Sequence, residues 1–147
     1  MITYHDGDLL KSGCDIICHQ VNLQGVMGGG LAYQIAQKHP ECAKQYAEYV
    51  KLFSDPTMLI CSVFWHHANE YAIANCFSQL LNFDTSYVAV REVFKNVKSY
   101  AEILNKTVGI PYGYGCGIAH GEWAKVERII KEVFEKSDVD CQIWRLK

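Results

Sequence analysis

Two glycine-rich stretches carry most of the chemistry that this sequence offers. Asn22 to Ala32 reads NLQGVMGGGLA, and Ile110 to Gly121 reads IPYGYGCGIAHG. Gly28, Gly29 and Gly30 fall between a predicted strand and a predicted helix. Backbone N–H groups there have no side chains in front of them, and a ligand can approach closely. The helix N-terminus behind them adds unpaired donors and partial positive charge. In the second stretch Gly113, Gly115 and Gly117 alternate with larger residues, a pattern that curls N–H groups into a phosphate-sized concavity. Neither stretch is G-x-x-x-x-G-K-[ST] or G-x-G-x-x-G, which argues against a triphosphate loop and against the common dinucleotide fingerprint. Two anion nests at one sheet edge suit a diphosphate.

Acid–base chemistry has two candidates. His19 lies three residues before Asn22, and His120 ends the second loop. Histidine titrates near neutrality and suits proton transfer. Each has a plainer role: His19 as a hydrogen-bonded core residue of a buried strand, and His120 as a solvated loop residue. Cys116, between glycines, reads as a small filler more readily than as a nucleophile. Cys14-x-x-x-Cys18-His19 lies where a strand is expected and no C-x-x-C pair occurs, so no metal site is expected. Tyr112 and Tyr114 either cover a sugar face or pack the second loop.

These loops need strands and helices to hold them. Residues 2–5 read as a short strand, followed by the Asp6-Gly7 turn signal. Residues 15–21 read as a buried strand. Leu31, Ala32, Ile35 and Ala36 recur at helical spacing, as do Ala43, Tyr46, Ala47 and Val50 after Pro40. Residues 58–64 and 71–77 read as two strands joined through His66-His67-Ala68-Asn69. Asp84 or Thr85 is placed to cap a helix whose apolar face is Val90, Val93, Phe94, Val97, Ala101 and Leu104. A strand over 107–111, a helix carrying Trp123, Val126, Ile130, Val133 and Phe134, and a strand over 141–146 complete the order. Alternation of strands and helices predicts a layered α/β sheet, and the short 58–77 connection predicts a mixed one.

The chain has 147 residues and a net charge of −2 with histidine neutral. That length predicts one domain, 1–147, with a core large enough to need no staple. No strong field is available for non-specific nucleic-acid binding. Seven cysteines, an odd number, and no apparent secretory leader lead us to expect reduced thiols and a cytoplasmic location. No apolar run reaches membrane-spanning length.

Gly7-Asp8-Leu9-Leu10, Val21-Asn22 with Gly28-Gly29-Gly30-Leu31-Ala32, and Ile110-Pro111 with Gly113, Gly115 and Gly117 together resemble the macro domain. The likeness runs along essentially the whole chain. The segment from Gly115 to Trp123 looks most like the branch of terminal ADP-ribose glycohydrolases and small phage-like relatives. The resemblance implies a three-layer α/β fold, a mixed central sheet flanked by helices, and ADP-ribose or a derivative as ligand, with no cofactor. It implies that Asp8 accepts from the adenine amine and that Leu9 meets the same ring. Asn22, Gly28, Gly29, Gly30 and Leu31 would surround the distal ribose and its phosphate. Gly113, Tyr114, Gly115, Cys116, Gly117 and Ile118 would form the diphosphate loop. The glycohydrolase branch uses a lysine and an aspartate. The corresponding stretch here, Cys76 to Asp84, has no lysine, and Ala119 stands where the aspartate belongs. Two functions follow: hydrolysis of an ADP-ribose derivative (the 1″-phosphate, an O-acyl ester, or an adduct on protein or nucleic acid), or a reader of ADP-ribosylated macromolecules without turnover.

Overall fold

The computed structural model describes residues 1–117 and 119–147, so Ile118 lies outside the described residues. Its centre is a six-stranded sheet in the order β1-β6-β5-β2-β4-β3. The strands are β1 (Ile2–Asp6), β2 (Ile16–Val21), β3 (Val63–His67), β4 (Ala72–Phe77), β5 (Val108–Pro111) and β6 (Cys141–Arg145). Only the β3–β4 pairing is antiparallel, and the other neighbours run parallel. The expected mixed α/β sheet is present.

Four helices cover the two faces: α1 (Gly30–Lys38), α2 (Pro40–Lys51), α3 (Tyr87–Leu104) and α4 (Trp123–Phe134). Side chains alternate across a strand. On β2, Ile16 and Cys18 therefore join a core with Val90, Phe94, Val126 and Ile130 of α3 and α4. Ile17 and Val21 point the other way, into a second core with Ile35 of α1 and Cys42, Tyr46 and Val50 of α2. The apolar stripes expected on the helices pack inward, except that Leu104 at the end of α3 is exposed and on α1 only Ile35 is fully buried. Leu9 belongs to the second core, and it reaches there because position 109 is glycine. A Cβ on Gly109 would stand 2.7 Å from Leu9 Cδ1.

The segment from Met58 to Phe64, expected as a strand, is different. The Asp55 carboxylate accepts from Thr57 N–H at 3.0 Å, and Pro56 occupies the first turn, so the chain winds into a 3-10 turn over Pro56–Leu59. Cys61 then takes φ +79° and reverses the chain. The strand starts at Val63 and runs through His66 and His67, which were expected in the connecting loop. The cap of α3 also differs. Ser86 accepts from Ala89 N–H at 3.2 Å, and Thr85 points elsewhere. Among the described residues no helix is long and apolar enough to cross a membrane.

Candidate functional site

β2 and β5 are neighbours, and their connections leave in opposite directions. After β2 the chain feeds α1 and α2 on one face. After β5 it feeds α4 on the other. Between the two exits a crevice opens at the carboxyl ends of the strands, the usual ligand position in open α/β sheets. It has two lobes that share Gln20, Gly29, Ala32 and Gln79 in their walls. One lobe, of about 380 Å³, lies against Gly30, Leu31, Gly113, Gly115 and Gly117. The other, also about 380 Å³, lies against Asn22, Val26, Gly28 and Phe83.

The donors are backbone groups. Among the described residues no side chain caps the N-terminus of α1, so the first N–H groups of that helix lack an internal partner, and Gly30, Leu31 and Ala32 line the crevice. In the second loop the bonding alternates. Tyr112 N–H donates to Trp144 O at 2.8 Å, Tyr114 N–H to Pro111 O at 3.1 Å, and Cys116 N–H to Gly113 O at 2.9 Å. The N–H groups of Gly113, Gly115 and Gly117 have no such partner among the described residues. Gly113 and Gly115 have φ of +80° and +73°, the dihedral alternation of an anion nest. None of the described residues lining either lobe is lysine or arginine.

Most of the residues singled out from sequence gather here. Gly28, Gly29, Gly30, Leu31, Asn22, Gly113, Tyr114, Gly115 and Gly117 line the two lobes. Asn22 is largely occupied by its own loop. Its Oδ1 accepts from Gln24 N–H at 3.0 Å and its Nδ2 donates to Val26 O at 2.9 Å. The buried Tyr46 hydroxyl is within 2.5 Å of Asn22 O and 2.8 Å of its Oδ1. One Nδ2 hydrogen remains for a ligand. Three residues stand outside the lobes. Cys116 packs against the α3/α4 core, and burial pushes its thiol up. Leu9 is a core residue. Asp8 caps the turn after β1, accepting from Leu10 N–H at 2.9 Å through Oδ1.

The two histidines are in contrasting settings. His19 lines the first lobe and is only 2% exposed. Its Nε2 is 2.6 Å from Asn75 Oδ1. Asn75 Nδ2 donates to Phe64 O at 2.9 Å, and a carbonyl can only accept, so the amide is fixed with Oδ1 toward His19. His19 therefore carries its proton on Nε2 and has a bare Nδ1 without a partner among the described residues. Burial, partly opposed by the Asn75 bond, pushes its pKa down to about 4. It is a neutral acceptor across the physiological range. His120 lies at the rim with its side chain 79% exposed, bonded through Nδ1 to Asp84 Oδ1 at 3.2 Å. It does not line either lobe.

Sequence reasoning missed the polar residues that shape the walls. Gln20, Gln79, Thr85 and Asn75 looked like scattered amides and a cap. The available signal was their type: Gln20 and Asn75 are amides within two largely apolar strands. A buried amide needs partners. Ser78, in the stretch where the branch has its lysine, is fully buried and bonded to Tyr114 and Gln20.

No family model matches the sequence. The chain is 25% identical to the ADP-ribose 1″-phosphate phosphatase of Saccharomyces cerevisiae (strain YJM789), over 99% of this chain and 98% of that protein. A stretch of 51 residues is 41% identical to the DNA ADP-ribosyl glycohydrolase of Mycobacterium tuberculosis, covering 35% of this chain and 14% of that protein. The solved macrodomain of Mycobacterium tuberculosis DarG superposes with a TM-score of 0.86 at 26% identity, covering 98% of this chain and 97% of that one. Thermosipho africanus DarTG in complex with ADP-ribose superposes with a TM-score of 0.79 at 15% identity, a likeness of fold, over 95% of this chain and 40% of that one.

Proposed function

Because this chain is a macrodomain, we propose that its crevice holds ADP-ribose, with the diphosphate between the two glycine loops. The observation that carries this reading is the pair of facing donor sets, the uncapped α1 N-terminus and the alternating N–H groups of Gly113, Gly115 and Gly117. In this reading the distal ribose occupies the lobe beside Asn22, Gly28 and Phe83. Adenine lies toward β1, where Asp8 Oδ2 is available to accept from the exocyclic amine. Neutral N–H nests bind phosphate without a lysine or arginine clamp. We expect micromolar affinity, on the order of −8 kcal/mol.

We further propose hydrolysis of the 1″-phosphate, or of an ester at the same end. Support comes from the similarity to a phosphatase along both full lengths. Attack on the anomeric carbon by a lysine has no support, because no lysine lines the lobes among the described residues. His19 is neutral, locked in one tautomer, and its free Nδ1 is buried away from water. This favours a second reading. A cleft whose histidine does not titrate near neutrality lacks a ready base, and a reader of ADP-ribosylated protein or nucleic acid needs none. Calorimetry with ADP-ribose, paired with phosphate release from ADP-ribose 1″-phosphate, tests both. Saturable heat with phosphate release supports the enzyme. Heat without release supports the reader, and no heat from folded protein overturns the ADP-ribose assignment.

A further inference from the structure

One carbonyl of the second glycine loop is held by two donors. Gly115 O accepts from Thr85 Oγ1 at 2.7 Å and from Gly121 N–H at 2.9 Å. A carbonyl oxygen has two lone pairs, and both are used. Gly115 lines the first lobe, whereas neither Thr85 nor Gly121 lines either lobe. The oxygen is therefore drawn behind the loop, away from the crevice. The other end of the same peptide is fixed as well, since Cys116 N–H donates to Gly113 O at 2.9 Å. This locked peptide lies between the N–H groups of Gly115 and Gly117, which have no backbone partner among the described residues.

Thr85 is placed for this contact by its own backbone. Its N–H donates to Ala119 O at 2.9 Å, and Gln79 and Thr85 form an isolated bridge across the turn after β4. Its hydroxyl is oriented too. Gln20 Nε2 donates to Ser78 O at 3.3 Å and to Thr85 Oγ1 at 3.1 Å, which leaves the threonine hydrogen for Gly115 O. The approach needs glycine at two positions. A Cβ on Gly115 would stand 2.9 Å from Thr85 Oγ1, and one on Gly121 would collide with Gly115 O.

We propose that Thr85 is a positioning residue for the anion site: its hydroxyl keeps the Gly115 carbonyl turned out of the crevice, so that the loop meets a diphosphate with N–H groups alone. The proposal rests on the ADP-ribose reading above. Among the described residues no lysine or arginine lines the lobes, so backbone donors must do the work of a cation. A carbonyl turned inward would set an acceptor against the phosphate oxygens. Fixing the peptide in advance also spares the ligand the cost of ordering the loop. With Thr85 committed to this contact, the neighbouring Ser86 caps α3.

The test titrates ADP-ribose calorimetrically into wild type, Thr85→Ser and Thr85→Val, and follows the amide protons of the glycine loops by NMR. Serine keeps the hydroxyl, and valine keeps the shape without it. Thr85→Ser should bind within about twofold of wild type, and Thr85→Val about threefold to tenfold more weakly. Saturation should move the Gly115 and Gly117 amide protons downfield in wild type. In Thr85→Val those shifts should shrink while shifts in the Gly28-Gly29-Gly30 loop persist. If Thr85→Val does not melt cooperatively, the smaller Thr85→Ala takes its place with the same expectations. Equal affinity in all three proteins would overturn the proposal. So would equal losses in the serine and valine variants, which would assign the effect to the threonine methyl. Weaker binding by Thr85→Val with full shifts at Gly115 and Gly117 would overturn it as well. Wild type that binds no ADP-ribose would refute the ADP-ribose reading, and this proposal with it.

Discussion

A histidine with one proton position behaves differently from a histidine in water. The ring of His19 is held neutral by burial, with its pKa pushed down to about 4 from an ordinary 6.5. The unfolded chain takes up a proton near 6.5 that the folded chain refuses. Folding stability should therefore fall as pH drops from about 6.5 to about 4 and level off below, a loss on the order of 3 kcal/mol from this residue. Denaturant midpoints at pH 7 and pH 5 should converge in His19→Gln, which has no such titration. Parallel pH profiles in wild type and variant would show that His19 is not buried neutral. If phosphate release occurs, its rate should show no inflection from His19 near neutrality, and His120→Ala, at the exposed rim, should leave it within about twofold. Tyr46 makes a separate case. Tyr46→Phe strips a buried donor from Asn22 and should cost about 1–2 kcal/mol in stability, read by urea unfolding.

At the scale of elements, the glycine loops are the parts that tolerate least. A Cβ on Gly115 would stand 2.9 Å from Thr85 Oγ1, at a φ of +73° that side chains rarely adopt. Gly115→Ala should cost about 1–3 kcal/mol of stability and weaken ADP-ribose as well. Gly113, at φ +80°, has open space around it. Gly113→Ala should lose roughly 1 kcal/mol of stability from strain alone while still weakening ligand binding, because its Cβ enters the space proposed for the ligand. Thermal melts with and without ADP-ribose separate the two effects. The loops were legible in sequence because glycine clusters between a strand and a helix have few other uses. The walls were not. Gln20, Gln79 and Thr85 are far apart in the chain, and what each hydrogen-bonds is decided by the β2–β4 pairing and by where the loop after β5 returns. Local pattern also failed at Met58 to Phe64, where apolar residues look strand-like and a proline-led turn with a left-handed Cys61 intervenes. Helix faces, by contrast, repeat at a fixed period, and those on α2, α3 and α4 are turned inward, with Leu104 at the end of the α3 stripe exposed.

For the molecule as a whole, the order of strands places the crevice where neighbouring connections part. Among the described residues the proposed anion site has no lysine or arginine in its lining, so binding of ADP-ribose should depend weakly on salt. A change of less than about threefold in Kd between 50 and 200 mM salt is expected, since the donors are fixed neutral dipoles. A steep dependence would reveal a cation reaching in from the rim. The arrangement also has a kinetic side. The seam is closed by pairing Ile16 with Val108 and Ile17 with Gly109, residues most of the chain apart. Contacts of such long sequence separation are slow to form because the intervening loop must first be closed. A half-assembled chain could own either glycine loop but not the space between them. Saturating ADP-ribose should then leave the refolding rate unchanged and slow unfolding in proportion to its occupancy, a signature readable in stopped-flow chevrons with and without ligand.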